Sequence, residues 1–216
     1  ALAEQYRALV FLDDSHATGF IGRTGRGVHE RFGVMGKIDI LTTTLGKALG
    51  GASGGCVSGR KEIVDLCRQR ARPYLFSNAV PPPIAASAIA VLDILSATTA
   101  RRDALEANAA FWRAGLKDAG FVIKDGDSPI VPVMLFNAKL AQEVARDLYD
   151  EGVYVVGFFF PVVAAGKARI RTQLSADHDI PMLERALEAF RKVGAKHGIL
   201  GLDKKGIIEK YGLQSG

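Results

Sequence analysis

Lys47 is the only charged residue in the stretch ILTTTLGKALGGASGG, Ile40 to Gly55. A nucleotide phosphate loop would need a glycine five residues before the Gly46-Lys47 pair and a hydroxyl residue after it. Leu41 and Ala48 stand at those places, so that chemistry is excluded. Taken alone, Lys47 reads as a solvated loop lysine. Its surroundings offer more. Small residues on both sides leave room for a bulky planar group, and a positioned, partly desolvated lysine amine forms Schiff bases with aldehydes. The threonines before it can donate hydrogen bonds to a phosphate. Upstream, a second apolar run ends in DDSHATGF, Asp13 to Phe20. Asp13 could face a protonated ring nitrogen, and His16 could hydrogen-bond a ring hydroxyl. Asp14 could be a supporting partner or a cap, and a simple turn or a metal site is the competing reading of the whole DDSH stretch. A lysine for an aldehyde, an acid for a pyridinium and donors for a phosphate are together what pyridoxal phosphate requires.

The elements around these residues read as alternating strands and helices. ALVFLDD, Ala8 to Asp14, has the form of a buried parallel strand with acids at its carboxyl end, where open α/β sheets place their ligands. IDILTTT, Ile38 to Thr44, is a second strand and GGCVSG, Gly54 to Gly59, a third. KEIVDLCRQRA is a helix. PYLFSNAVPPP, with four prolines, reads as loop and turn. PPIAASAIAVLDIL reads as a helix entered from proline and packed closely through its alanines. The composition changes near Ser96 to Ala100, so we divide the chain into 1–98 and 99–201, followed by a polar tail at 202–216 with no assigned role. In the second region 103–119 looks helical, and FVIKD and SPIVPVML look like strands. NAKLAQEVARDLYDEG is an amphipathic helix with Leu140, Val144, Ala145 and Leu148 on one face and Gly152 as its stop. VYVVGFFFP and ARIRTQLSA are strands. DIPMLERALEAFRKVGAKHG is a helix with Leu183, Leu187, Phe190 and Val193 on one side. This pattern predicts a small α+β domain with its helices on one face of the sheet.

The composition sets bounds on function. The chain has 216 residues, a net charge of +5 and 48% hydrophobic residues, as expected of a globular protein with a real core. Its basic residues are scattered except for RQRARP, Arg68 to Pro73, which lacks interleaved aromatics, so no nucleic-acid partner is expected. Cys56 and Cys67 form no framework and fit a reducing compartment. The four histidines are spread apart and Gly33 stands where a zinc-protease helix would need a second histidine, so no metal site is expected. The longest apolar runs fall short of a membrane span. The chain opens on Ala1 within what reads as the end of a helix, so the sequence reads as the carboxyl-terminal portion of a longer protein.

Four stretches in order, LVFLDDSHATGFIGRTGRGVHE, DILTTTLGKALGGASGG, RQRARPYLFSNAVPPP and VGFFFPVVAAGKARIRTQLSA, strongly resemble the α-oxoamine synthases, a family of fold-type I pyridoxal-phosphate enzymes. The likeness runs from about Ala8 to Gly198. It implies the carboxyl-terminal half of a fold-type I large domain plus a small carboxyl-terminal α+β domain. Lys47 would carry the cofactor aldehyde, Asp13 would pair with the pyridine nitrogen, His16 would bond the ring oxygen and Thr44 would hold the phosphate. Ser77 and Asn78 would reach the cofactor phosphate of a partner subunit, so that a homodimer shares its active sites. Arg171 would clamp the amino-acid carboxylate. A guanidinium suits that task because it binds carboxylates bidentately and keeps its proton. Arg169 lies on the same face of the predicted strand, so spacing leaves both arginines open and only the resemblance selects Arg171. The implied reaction joins glycine to acetyl-coenzyme A, running in reverse in threonine breakdown. It would take place in bacterial cytoplasm, or in mitochondria if the source is eukaryotic. A sister reaction using alanine and a pimeloyl thioester, and a non-catalytic dimerising chain, are the alternatives. The chain departs from the family at Ala164-Ala165 and Cys56, neither of them a catalytic position. Without the rest of the family fold, these residues alone would bind cofactor poorly.

Overall fold

The computed structural model describes residues 1–51 and 53–212. The chain divides into two compact units, Ala1–Arg102 and Asp103–Gly216. In the first, β1 (Phe11–Asp13), β2 (Ile40–Thr44) and β3 (Gly55–Gly59) form one sheet in that order. β1 and β2 run parallel with Asp13 beside Thr42, and β2 and β3 run antiparallel with Thr44 beside Gly55. Around the sheet lie α1 (Leu2–Tyr6), α2 (Val28–Arg31), α3 (Lys61–Arg70), α4 (Arg72–Phe76) and α5 (Pro82–Ala97). α6 (Ala100–Asp118) begins in this unit and continues into the second.

Three sequence expectations are corrected here. β1 is parallel as predicted, but it is not buried: Phe11 is 62% exposed. An apolar run records a strand's tendency to be covered, whereas burial needs neighbours on both sides, and among the described residues β1 pairs with β2 alone. The Arg72–Phe76 segment is a helix rather than a turn, because Pro73 falls in its first turn, where a missing N–H costs nothing. α5 does enter from proline, but its alanines do not pack it closely. Ala88 is its one buried residue among those described, and Ile89 and Ile94 are exposed.

In the second unit β4 (Ile130–Met134), β6 (Arg169–Gln173) and β5 (Val156–Phe158) form an antiparallel sheet in the order β4-β6-β5. FVIKD contributes only an isolated bridge between Ile123 and Val133 rather than a strand. Val131, Val133, Ile170 and Thr172 point to one face and are buried with side chains of α6, α7 (Ala138–Asp150) and α8 (Ile180–His197). Strand alternation sends Arg169, Arg171 and Gln173 to the other face. The helices thus lie on one side, as the sequence pattern predicts. Leu140, Val144 and Leu148 of α7 and Leu183, Leu187, Phe190 and Val193 of α8 are all in the core. Gly115 and Gly194 let it close, since a Cβ at either would overlap Leu187 or Leu200.

Side-chain oxygens begin the later helices. Asn137, Asp179 and Asp203 accept from Leu140, Met182 and Gly206 backbone N–H groups at 2.9, 2.7 and 2.8 Å, which satisfies donors the helix itself leaves unpaired. The residues after Gly201 are not a loose polar tail. Lys204–Tyr211 forms α9, with Ile207 buried. The Tyr211 hydroxyl donates to the His197 carbonyl at 2.5 Å, and Lys210 donates to the His197 and Gly198 carbonyls, so α9 closes the end of α8. The last part of the predicted tail, 213–216, lies outside the described residues. Among the described residues no single helix is long and apolar enough to cross a membrane.

Trp112 is the only tryptophan in the chain, and it stands edge-on to Phe190 with ring centroids 5.4 Å apart. Its fluorescence therefore reports unfolding of the second unit. Phe190→Ala removes a ring that also meets Phe121, and should lower that unit's stability in a denaturant titration by about 3–5 kcal/mol. A loss below about 0.5 kcal/mol, as for an ordinary surface substitution, would contradict the packing described.

Candidate active site

The parallel pairing of β1 with β2 brings the chemistry of the first unit together. Both strands end on the same side of the sheet, so Asp13 and the threonines of β2 finish beside one another. Asp13 and Thr42 are register partners, and Thr44, two residues on, shares their face. The chain then turns through Leu45 and Gly46 to the exposed Lys47.

Asp13 is held ionised. Its Oδ1 accepts from the Ser15 hydroxyl at 2.6 Å and from the Ser15 backbone N–H at 3.1 Å. The Ser15 hydroxyl and then its N–H are the main causes that hold the Asp13 carboxyl below its ordinary value. Burial opposes them, and the Thr42 hydroxyl and the positive charge of Lys47 contribute less in the lowering direction.

Asp14 faces the other way and is almost wholly buried, at 1% exposure. Its two oxygens accept from the Thr18 hydroxyl at 2.7 Å and from the Val28 N–H at 3.0 Å. Of the two roles read from sequence, it is the cap: it ties the turn after β1 to the start of α2. Gly27 makes room for it, since a Cβ there would overlap the carboxylate and the backbone has φ of 101°. Glu30 fastens the same loop. Burial alone would raise its carboxyl, but bonds from the Arg26 N–H and the Thr24 hydroxyl and N–H, with the charge of Arg23, hold it low. His16 lies exposed in the turn that these acids fix.

Thr44 is tied into the loop that carries Lys47. Its hydroxyl donates to the Gly54 carbonyl at 3.2 Å and accepts from the Gly46 N–H at 3.3 Å. The glycines of this loop serve backbone contact as much as open space. A Cβ at Gly51 would come within 2.7 Å of the Leu45 carbonyl oxygen, and one at Gly55 within 2.7 Å of that of Thr43. Ala52 lies outside the described residues. Val80 packs over Gly54. That contact brings the segment following α4, which carries the exposed Ser77 and Asn78, alongside the loop.

Arg171 stands in the second unit, on β6. Its guanidinium lies 5.6 Å from the centre of the Phe158 ring and donates to Gln173 Oε1 at 3.4 Å. Arg171, Phe158, Gln173, Val156, His178 and Arg185 help line a cavity of about 800 Å³. Sequence reasoning missed the Ser15 bonds and the Thr42 pairing of Asp13, and the ring under Arg171. The first pair was legible in principle, once the two strands were paired in parallel.

Comparison with known proteins gives four matches. A family model described as aminotransferase class I and II matches residues 1–190. The chain is 54% identical over 199 residues to 2-amino-3-ketobutyrate coenzyme A ligase of Escherichia coli K12, covering 92% of this chain and 50% of that protein. It is 41% identical to 8-amino-7-oxononanoate synthase of Thermosipho melanesiensis, again over 92% of this chain and 51% of that protein. Among solved structures, serine palmitoyltransferase from S. paucimobilis with bound PLP superposes with a TM-score of 0.87 at 31% identity, over 92% of this chain and 50% of that one. The chain spans about half the length of the curated relatives it matches.

The Asp13 setting has a pH signature. A carboxylate with a lowered folded value contributes stability that is present above its unfolded value and fades as pH falls through the folded one, so the change lies below about pH 4. Carboxyl carbon NMR should find Asp13 titrating below the ordinary aspartate range. Ser15→Ala should raise it most, and Lys47→Met by less. An Asp13 that titrates normally and ignores both changes would refute the assignment.

Proposed function

This chain belongs to the class I and II aminotransferase family, in its α-oxoamine synthase branch, and we propose from that premise that it forms part of a pyridoxal-phosphate-dependent acyltransferase. The reaction joins glycine to acetyl-coenzyme A and yields 2-amino-3-oxobutyrate and coenzyme A. The observation that carries this reading is the pairing of Asp13 with Thr42 at the carboxyl ends of two parallel strands, with Lys47 exposed in the loop that leaves the second of them. The identity of 54% to a 2-amino-3-ketobutyrate coenzyme A ligase, against 41% to an 8-amino-7-oxononanoate synthase, favours glycine and an acetyl group over alanine and a longer acyl chain.

The residues fit the cofactor. Asp13 is in the charge state that holds a protonated pyridine nitrogen. Lys47 is an exposed amine on a loop fixed by Thr44 and by close glycine contacts, so it can reach an aldehyde without disturbing β2. When bound, pyridoxal phosphate supplies an electron sink for the negative charge that develops on the α-carbon of glycine.

The chain's own residues do the rest. Lys47 would hold the cofactor aldehyde and, once free, would take the α-proton of glycine. Asp13 would hold the ring nitrogen protonated. His16 would bond the ring oxygen and donate to the oxyanion that forms when the α-carbon attacks the thioester carbonyl. Coenzyme A leaves as the thiol. Thr44 binds the phosphate from within the chain, and Ser77 and Asn78 bind that of the partner subunit in a homodimer. Arg171 orients the glycine carboxylate through paired N–H donors. Threonine degradation runs the same steps backward.

Lys47→Ala in the full-length protein should lower kcat for glycine plus acetyl-coenzyme A by roughly a hundred- to ten-thousandfold or more, since it removes the base as well as the attachment point. Turnover within a few-fold of the parent would sink the assignment. Replacing glycine by alanine, or acetyl- by pimeloyl-coenzyme A, should reduce kcat/KM. The reverse preference would move the protein to the sister reaction.

A further inference from the structure

The sequence leaves two arginines, Arg169 and Arg171, on one face of β6. Strand pairing separates them. Arg169 is the register partner of Phe158 on β5 and Met134 on β4, whereas Arg171 partners Val156 and Pro132. The Arg171 side chain nevertheless leans along the strand, and its guanidinium lies over the half-buried Phe158 ring at 5.6 Å. Among the described residues, only Arg171 of the two has an aromatic ring against its guanidinium.

We infer that Phe158 is a positioning residue for substrate: its ring holds the Arg171 guanidinium flat, edge outward, so that the in-plane N–H pairs meet a carboxylate in the cavity. This rests on the reading of Arg171 as the carboxylate clamp.

The geometry favours this division of labour. A guanidinium attracts an aromatic face through its own flat face and binds carboxylates through its rim, so the two contacts do not compete. Arg171 carries five N–H donors, and Gln173 draws on only one Nη at a long 3.4 Å. A guanidinium held over the ring gives up part of its rotameric freedom before a carboxylate binds. Phe158 itself is anchored. It sits on β5, paired on one side to central strand β6, and the next residue but one upstream, Val156, lies on the same face. Gly157 between them packs against the Ala141 backbone of α7, which fixes the edge strand to the helical layer.

The test uses the full-length holoenzyme. Phe158→Leu keeps an apolar side chain but removes the π face. It should raise KM for glycine by about three- to tenfold while kcat and KM for acetyl-coenzyme A stay within twofold of the parent, in proportion to a partly solvated cation–π contact. Phe158→Trp should restore the glycine KM, because a larger π face does the same work. Side-chain ¹⁵N relaxation at Arg171 Nε should show more motion in Phe158→Leu and parental motion in Phe158→Trp, without reference to turnover. An unchanged glycine KM in Phe158→Leu would overturn the proposal. So would a parallel loss of kcat and both KM values that Trp does not rescue, which would mark a merely structural ring. Arg171→Gln separates the two levels. If it leaves the glycine KM unchanged, the clamp reading fails and the proposal falls with it. If it raises that KM while Phe158→Leu does not, only the positioning role fails.

Discussion

The site in the first unit depends on which way two adjacent acids point. Asp13 and Asp14 follow each other at the end of β1, and consecutive residues of an extended chain face opposite sides. Asp14 goes inward because its backbone N–H continues the ladder to the Thr42 carbonyl at 2.8 Å, and its side chain has two half-buried donors to satisfy it. Burying a carboxylate without partners would cost several kcal/mol, so the Thr18 hydroxyl, the Val28 N–H and the space left by Gly27 together set the direction. With Asp14 committed inward, Asp13 is left on the open face beside Thr42. Asp13 is thus aimed by its buried neighbour.

The second unit reaches the same end by a different route. Its arginine is aimed by strand alternation over a closed core rather than by a buried charge. Thr172, between Arg171 and Gln173, turns inward, where its hydroxyl accepts from the Trp112 indole at 2.9 Å and donates to the Val131 carbonyl at 2.7 Å. A slip of one residue would strand that indole N–H in the core and bury a guanidinium, so the register is strongly specified. Behind the sheet, Asp147 on α7 accepts from Lys196 and His197 on α8, each at 2.8 Å, and is held below its usual range mainly by Lys196. The helix layer that supports β6 is therefore joined by charge as well as by apolar packing.

How far the sequence revealed this varies with the range of the interaction. Period-3.6 patterns identified the core faces of α7 and α8, Ala145 alone of the named residues being half-buried, because local periodicity records which side a segment buries. Asp13 and Thr42 meet because two short parallel strands are enough to pair them. Contacts across distant segments were not legible. Nothing near Gly27 announces that its missing Cβ is the cavity for Asp14, and nothing in SNAVPP announces that Val80 covers Gly54. α9 was missed because its charged surface residues mask the apolar set at Ile207, Ile208 and Tyr211. Asp203 before them was the usable cap signal. α4 was missed because prolines were read as breakers where one of them starts a helix.

The loop that carries Lys47 shows why a small-residue run is not the same as a flexible one. Gly51 and Gly55 bring backbone against the Leu45 and Thr43 carbonyls, where any side chain would intrude. The Leu45 N–H reaches the Gly54 carbonyl at 2.9 Å and the Gly51 N–H reaches the Leu45 carbonyl at 2.7 Å, so the loop is pinned at its two ends. Thr44 adds its hydroxyl to the same carbonyl of Gly54. These bonds spend the loop's polar groups on itself and leave the Lys47 side chain exposed on a fixed base. A lysine that must hold an aldehyde, release it and then act as a base needs a mobile amine on an immobile backbone. Glycines used for close approach provide the second condition, and the lack of bulky neighbours provides the first.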